Sequence, residues 1–224
     1  RSVLPDVPIV IRLHPGNQLH EQWTTELAPK AGFAGIITQT LDAVRPAVLD
    51  PATRAGVRLI ADWSQGSPDE KRLAELAGRG ASVILLGSSR LQSMPYLWET
   101  VERWMAFPSL ADPVNSAPDE VSGDRRGRLV DLPIGGAWLQ VDPLRFTYAG
   151  NLISNFVERG GKAVVLEHVD GANQDEFISA WEAAKSFGVP VGVSMRVEGP
   201  QPSLPPESID PDFIVIDPTH GPLL

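Results

Sequence analysis

Eight short apolar runs, each rich in Val, Ile or Leu, punctuate the chain: Pro8–Leu13, Phe33–Thr38, Val57–Ala61, Ser82–Leu86, Ala137–Val141, Ala163–Leu166, Val189–Ser194 and Phe213–Ile216. Most are continuously apolar instead of alternating, which is the pattern of strands buried on both faces of a parallel sheet. Segments of helical character separate most of them, at Leu19–Lys30, Leu41–Ala55, Pro68–Arg79, Pro95–Phe107, Leu144–Arg159 and Asp175–Phe187. Gly32, Gly56, Gly80, Gly161 and Gly188 each stand between such a segment and the next run, where a left-handed residue would end the helix. The first three are 24 residues apart, the length of one compact βα unit. Ser67-Pro68-Asp69-Glu70 is a good helix start, with Ser as cap, Pro in the first turn and Glu closing a capping box.

This order predicts an α/β fold: a TIM-barrel-like (β/α)8 domain spanning residues 1–224, with a doubly wound parallel sheet as the alternative. The length suits one large domain. Seven residues follow Asp217, so the eighth helix is expected to be missing or to lie outside this sequence. The start, Arg1-Ser-Val-Leu-Pro5, has neither an initiator Met nor a signal-peptide pattern. The expectation is a processed chain or a piece excised from a longer one. Residues 108–133 break the rhythm. They are rich in Pro, Asp, Ser and Gly, include Gly123-Asp-Arg-Arg-Gly-Arg128, and read as a long polar insertion. On a barrel that insertion would precede a strand, opposite the usual active-site face.

Composition narrows the partners. The 224 residues carry a net charge of −9. That argues against nucleic acid and against an anionic membrane surface, both of which need basic patches. There is no cysteine, which removes disulfides, thiolate metal sites and cysteine nucleophiles. No apolar run approaches the ~20 residues of a membrane span. The expectation is a soluble protein, cytoplasmic location favoured, acting on a small-molecule substrate, with further domains or a homo-oligomer left open.

In either fold, ligands bind at the carboxyl ends of the strands. His14 follows the first run, Gln39 the second and Asp62 the third. Gly87-Ser88-Ser89-Arg90 follows the fourth, Asp142 the fifth, Glu167-His168 and Asp170 the sixth, Met195-Arg196 the seventh, and Asp217 with His220 the eighth. His14, Asp62, Glu167 and Asp217 are the candidate catalytic groups, expected to share one pocket. Gln39, Ser88, Arg90, Asp142, His168, Arg196 and His220 are the candidate substrate contacts. A ring of imidazole and carboxylate groups suits acid–base work. It also suits a divalent metal as cofactor. Trp63, beside Asp62, either stacks on a sugar ring or simply packs.

Absences sharpen the chemistry. No lysine stands at a strand end, which disfavours a Schiff-base aldolase. There is no GxGxxG, Walker A or GxSxG pattern, so nothing supports a dinucleotide fingerprint, a P-loop or a nucleophile elbow. The segment from Val57-Arg-Leu-Ile-Ala-Asp62 and Ser67-Pro-Asp-Glu70 through Ile84-Leu-Leu-Gly-Ser-Ser89 resembles one βαβ unit of the prenylglyceryl-phosphate synthase barrels, over about 33 of the 224 residues. The lysine that family carries soon after the Asp is absent. Its unit also opens the barrel, whereas this one would be third. The resemblance therefore implies βα architecture, and no function is carried over. The leading expectation is a barrel enzyme, a lyase, isomerase or hydrolase acting on a small polar substrate. The alternatives are a non-catalytic binding or regulatory barrel and a flavin-binding barrel oxidoreductase.

Overall fold

The computed structural model describes residues 7–13, 34–38, 58–64, 71, 81–88, 99, 102, 136–143, 146–168, 174–196 and 208–217. All eight apolar runs form strands: β1 (Ile9–Leu13), β2 (Gly35–Thr38), β3 (Arg58–Trp63), β4 (Ala81–Gly87), β5 (Gly136–Val141), β6 (Ala163–His168), β7 (Val191–Arg196) and β8 (Phe213–Asp217). They pair in sequence order, all parallel, into a closed barrel. The closing ladder sets Ile9, Val10 and Ile11 beside Ile214, Val215 and Ile216. That ladder rules out the open doubly wound sheet, and the fold is a TIM barrel.

Two helices are described along their length, α1 (Phe146–Glu158) and α2 (Gln174–Ser186). Lys71, Glu99 and Glu102 are helical too, within the expected third and fourth helices. The segments Leu19–Lys30 and Leu41–Ala55 and the insertion at 108–133 lie outside the described residues. Among those that are described, no helix is long and apolar enough to cross a membrane.

Continuous hydrophobicity has a direct cause in this barrel: each strand buries both faces. Outward residues such as Ile11, Ile84, Leu139 and Val193 pack in one cluster with Ile153 and Phe156 of α1 and with Phe177, Ala180, Trp181 and Ala184 of α2. The α2 set falls at i, i+3, i+4 and i+7, one face of a helix. Inward residues form a second cluster that includes Val10, Ile37, Ile60, Leu85, Trp138, Val165 and Val215. Trp63 belongs to the outward cluster and is buried. It packs there, and the sugar-stacking expectation is withdrawn.

Of the five glycines expected to end helices, Gly161 and Gly188 lie among the described residues and one of these needs correction, whereas Gly32, Gly56 and Gly80 lie outside them. Gly188 takes a φ of 73° after α2, as expected. After α1 the left-handed residue is Gly160, at 92°, and not Gly161. Gly160 N–H donates to the Val157 carbonyl and Gly161 N–H to the Phe156 carbonyl, both at 2.9 Å. This is the paired bonding of a Schellman cap. Gly161 serves one position later, where the Phe156 ring lies so close that a Cβ would stand 2.2 Å from it.

Strand stagger sorts the barrel interior into layers of four from alternate strands. Reading the registers round the barrel, Val10, Ile60, Trp138 and Gly192 share one height. Ile37, Leu85, Val165 and Val215 lie above them, toward the carboxyl ends. In the lowest part of the core, the Trp138 and Phe213 rings meet at 4.7 Å, tilted by 41°. Two such rings fit because Gly192 has no side chain. A Cβ there would stand 2.3 Å from the Phe213 ring, and Phe213 is fully buried with no room to retreat. Gly192→Ala should therefore destabilise the protein by about 1–3 kcal/mol through overpacking. In urea titrations Phe213→Leu should recover much of that loss. Simple additivity of the two substitutions would show that the glycine is not there to admit the ring.

Candidate active site

The layer above Ile37, Leu85, Val165 and Val215 changes character. By the same stagger it consists of Arg12, Asp62, Gln140 and Ser194, and all four are buried. Alternation is the local cause. Arg12 follows inward Val10 by two residues, Asp62 follows Ile60, and Gln140 follows Trp138, so each must point into the barrel. One step higher, Glu167 follows Val165 and Asp217 follows Val215.

Arg12 organises this level. Its side chain is 4% exposed, and each of its three nitrogens faces a protein partner. Nη1 donates to Asp217 Oδ2 at 3.0 Å, and Nη2 donates to Gln140 Oε1. Nε stands 3.2 Å from Asp62 Oδ2. That contact is an ion pair by distance, but Nε is not aligned for a hydrogen bond. β1 and β5 are not neighbours in the sheet, so the Arg12–Gln140 contact crosses the lumen.

Asp62 is held from its other side as well. Its Oδ1 accepts from Ser64 N–H at 2.9 Å and from Ser64 Oγ at 2.6 Å. This local turn just past β3 fixes the carboxylate before any ligand arrives. Gln140 continues the network, with Nε2 donating to Glu167 Oε1. Asp62 and Asp217 are buried, whereas Glu167 is half-buried. Glu167 is thus a carboxylate that touches both the buried layer and the opening at the strand ends.

Electrostatics explains why the layer is viable. Two carboxylates without a counter-charge could not be buried cheaply. Arg12 supplies the charge, and its planar fork serves several acceptors at once. With its nitrogens turned on protein groups, Arg12 braces the site and is poorly placed to receive a ligand anion. Among the described residues no three His, Asp or Glu groups are arranged to hold a metal ion.

No family model matches this sequence. No curated protein matches it either. Solved structures do. The fold is similar to that of KGPDC from Streptococcus mutans, with a TM-score of 0.55 and 13% identity over 94% of this chain and 88% of that one. It is similar also to orotidine 5'-monophosphate decarboxylase from Methanocaldococcus jannaschii, with a TM-score of 0.51 and 10% identity over the same shares of the two chains. At such identities the likeness is one of fold.

Several residues expected just beyond the strands are in fact their last members. Asp62, Gly87, Glu167, His168, Arg196 and Asp217 all lie within strands. Their direction is therefore set by strand alternation and not by loop conformation. Asp62 and Asp217 come together on Arg12, and Glu167 joins them through Gln140. Ser88 is buried after β4, Asp142 is half-buried after β5, and Arg196 is exposed at the end of β7, in register with Asp217. His14, Gln39, Arg90, Asp170 and His220 lie outside the described residues, as does the side chain of His168.

Arg12, Gln140 and Ser194 are not among the residues expected from the ends of the runs. Their signal was available: a charged or polar residue inside an otherwise apolar run, as in Ile9-Val-Ile-Arg-Leu13 and Ala137-Trp-Leu-Gln-Val141. In a strand buried on both faces, such a residue must meet a partner.

Proposed function

We propose that this barrel is an enzyme that uses side-chain acid–base chemistry on a small polar substrate at the carboxyl ends of its strands, in a lyase, isomerase or hydrolase reaction. The observation that supports the reading is the placement of Glu167. Its carboxylate is half-buried at the opening and tethered by one oxygen to a rigid, buried polar layer. A proton-transfer group needs both a fixed position and access to substrate.

In this proposal Glu167 moves the proton, and His14, which follows β1, is the second acid–base group. Asp62 and Asp217 hold Arg12 and shape the floor beneath the substrate. Gln39, Ser88, Arg90, Asp142, His168, Arg196 and His220 stand as candidate contacts for the rest of the molecule. A similar barrel is a decarboxylase by name, so the fold hosts lyase chemistry. Fold does not choose the reaction, and the site must.

A panel of compounds tests the proposal before any substrate has been identified. Hydroxy acids, keto acids and sugar phosphates are incubated with the protein in D2O and followed by proton NMR. At least one compound should lose a C–H signal to solvent deuterium or convert to product, only when protein is present. A panel in which nothing exchanges or converts would remove the catalytic reading and leave a binding or regulatory barrel in its place.

A further inference from the structure

We infer that Gln140 is a positioning residue that aims the Glu167 carboxylate, and that Arg12 dictates which way Gln140 faces. The inference rests on the reading of Glu167 as the proton-transfer group and adds how that group is oriented.

A primary amide has one end that accepts and one that donates, and it can be turned over. Here it cannot. A guanidinium has donors only, so the end of Gln140 beside Arg12 Nη2 must be Oε1. The opposite end, Nε2, then faces Glu167 Oε1. A turned amide would set NH2 against guanidinium and oxygen against carboxylate, two repulsive contacts in a buried layer. Arg12 is itself held between Asp217 Oδ2 at 3.0 Å and Asp62 Oδ2 at 3.2 Å. Asp62 is in turn held by Ser64. The direction of each group follows from the one before it, from the turn past β3 across the lumen to β5 and on to β6.

The consequence for chemistry is specific. Glu167 Oε1 accepts from Gln140, so exchange of a proton with substrate runs through Oε2. Without the tether the carboxylate would rotate about its terminal torsions, and fewer of its orientations would be productive. A merely structural Gln140 would matter only as the acceptor for Arg12.

Gln140→Glu separates the two roles. It keeps the length of the side chain and an acceptor for Arg12, but removes the donor to Glu167. This variant should stay folded but with a lowered thermal midpoint, because it sets a second carboxylate against Glu167 in a buried layer. On a substrate found by the panel, kcat should fall by about 10- to 100-fold, the scale of one lost hydrogen bond to a charged group, with a much smaller change in KM. The exchanged pair Gln140→Glu with Glu167→Gln should regain stability but not turnover.

A second measurement needs no substrate. In 1H–15N spectra the Gln140 side-chain amide should be protected from solvent exchange, and its resonances should move in Glu167→Leu. A folded Gln140→Glu protein with full turnover would overturn the inference. So would Gln140 amide signals indifferent to Glu167→Leu. If the panel finds no substrate, the catalytic reading fails and the amide signals alone decide whether Gln140 orients Glu167.

Discussion

Replacing Arg12 with methionine should destabilise the barrel by about 3–5 kcal/mol, the cost of stripping the partner from a buried charge network. Methionine nearly matches the volume of the stem, so little of this loss would come from a cavity. Most of it would come from Asp62 and Asp217, which would lose their buried guanidinium partner, and from Gln140 Oε1, left without its donor. The side chain is only 4% exposed, so solvent screening does not soften the estimate as it would for a surface pair. A chain of this size loses about 2–4 °C in melting temperature per kcal/mol, which predicts a fall of about 6–20 °C. Urea titration followed by circular dichroism measures the change directly. Adding Asp217→Asn to Arg12→Met should cost less than the sum of the two single substitutions, because each removes the reason for the other. A loss below about 1 kcal/mol for Arg12→Met would mean that solvent or another cation reaches this layer.

Glu167→Gln should lower turnover by about 10²–10⁴-fold, the usual contribution of a positioned acid or base. The substitution is nearly isosteric, and the amide oxygen can still accept from Gln140 Nε2, so the tether and the fold should survive. What is lost is the group that takes or gives the proton. The effect should fall on kcat more than on KM, since the carboxylate is assigned to the transition state and not to ground-state binding. Rates measured beside the thermal midpoint separate this outcome from unfolding. A folded Glu167→Gln protein that turns over at more than about a tenth of the parent rate would transfer the acid–base role to another group, and His14 is the first to examine.

These two residues were not equally visible in the sequence. Glu167 ends an apolar run and was a candidate from its position alone. Arg12 sits inside a run, where a single charge reads as an irregularity until its partners are known. Gln140 is similar: Ala-Trp-Leu-Gln-Val is an ordinary strand with one polar position. Its importance comes from Arg12, 128 residues away along the chain.

Strand positions and the parallel α/β class were determined by the sequence on its own, because burial on both faces writes itself locally as unbroken runs of Val, Ile and Leu. The end of α2 was likewise legible, since Gly188 carries the left-handed turn in its own identity. The end of α1 was legible only to within a residue, because adjacent Gly160 and Gly161 divide the tasks of turning the chain and clearing the Phe156 ring. Closure belongs to the tertiary structure, for an open parallel sheet uses the same kind of strand. So does the identity of the buried polar layer. When both faces of a strand are apolar, alternation defines two sets of residues but does not say which set faces the lumen. Only closure and stagger bring residues from β1, β3, β5 and β7 to one height. That geometry turned Trp63 outward and set the charge of Arg12 between Asp62 and Asp217.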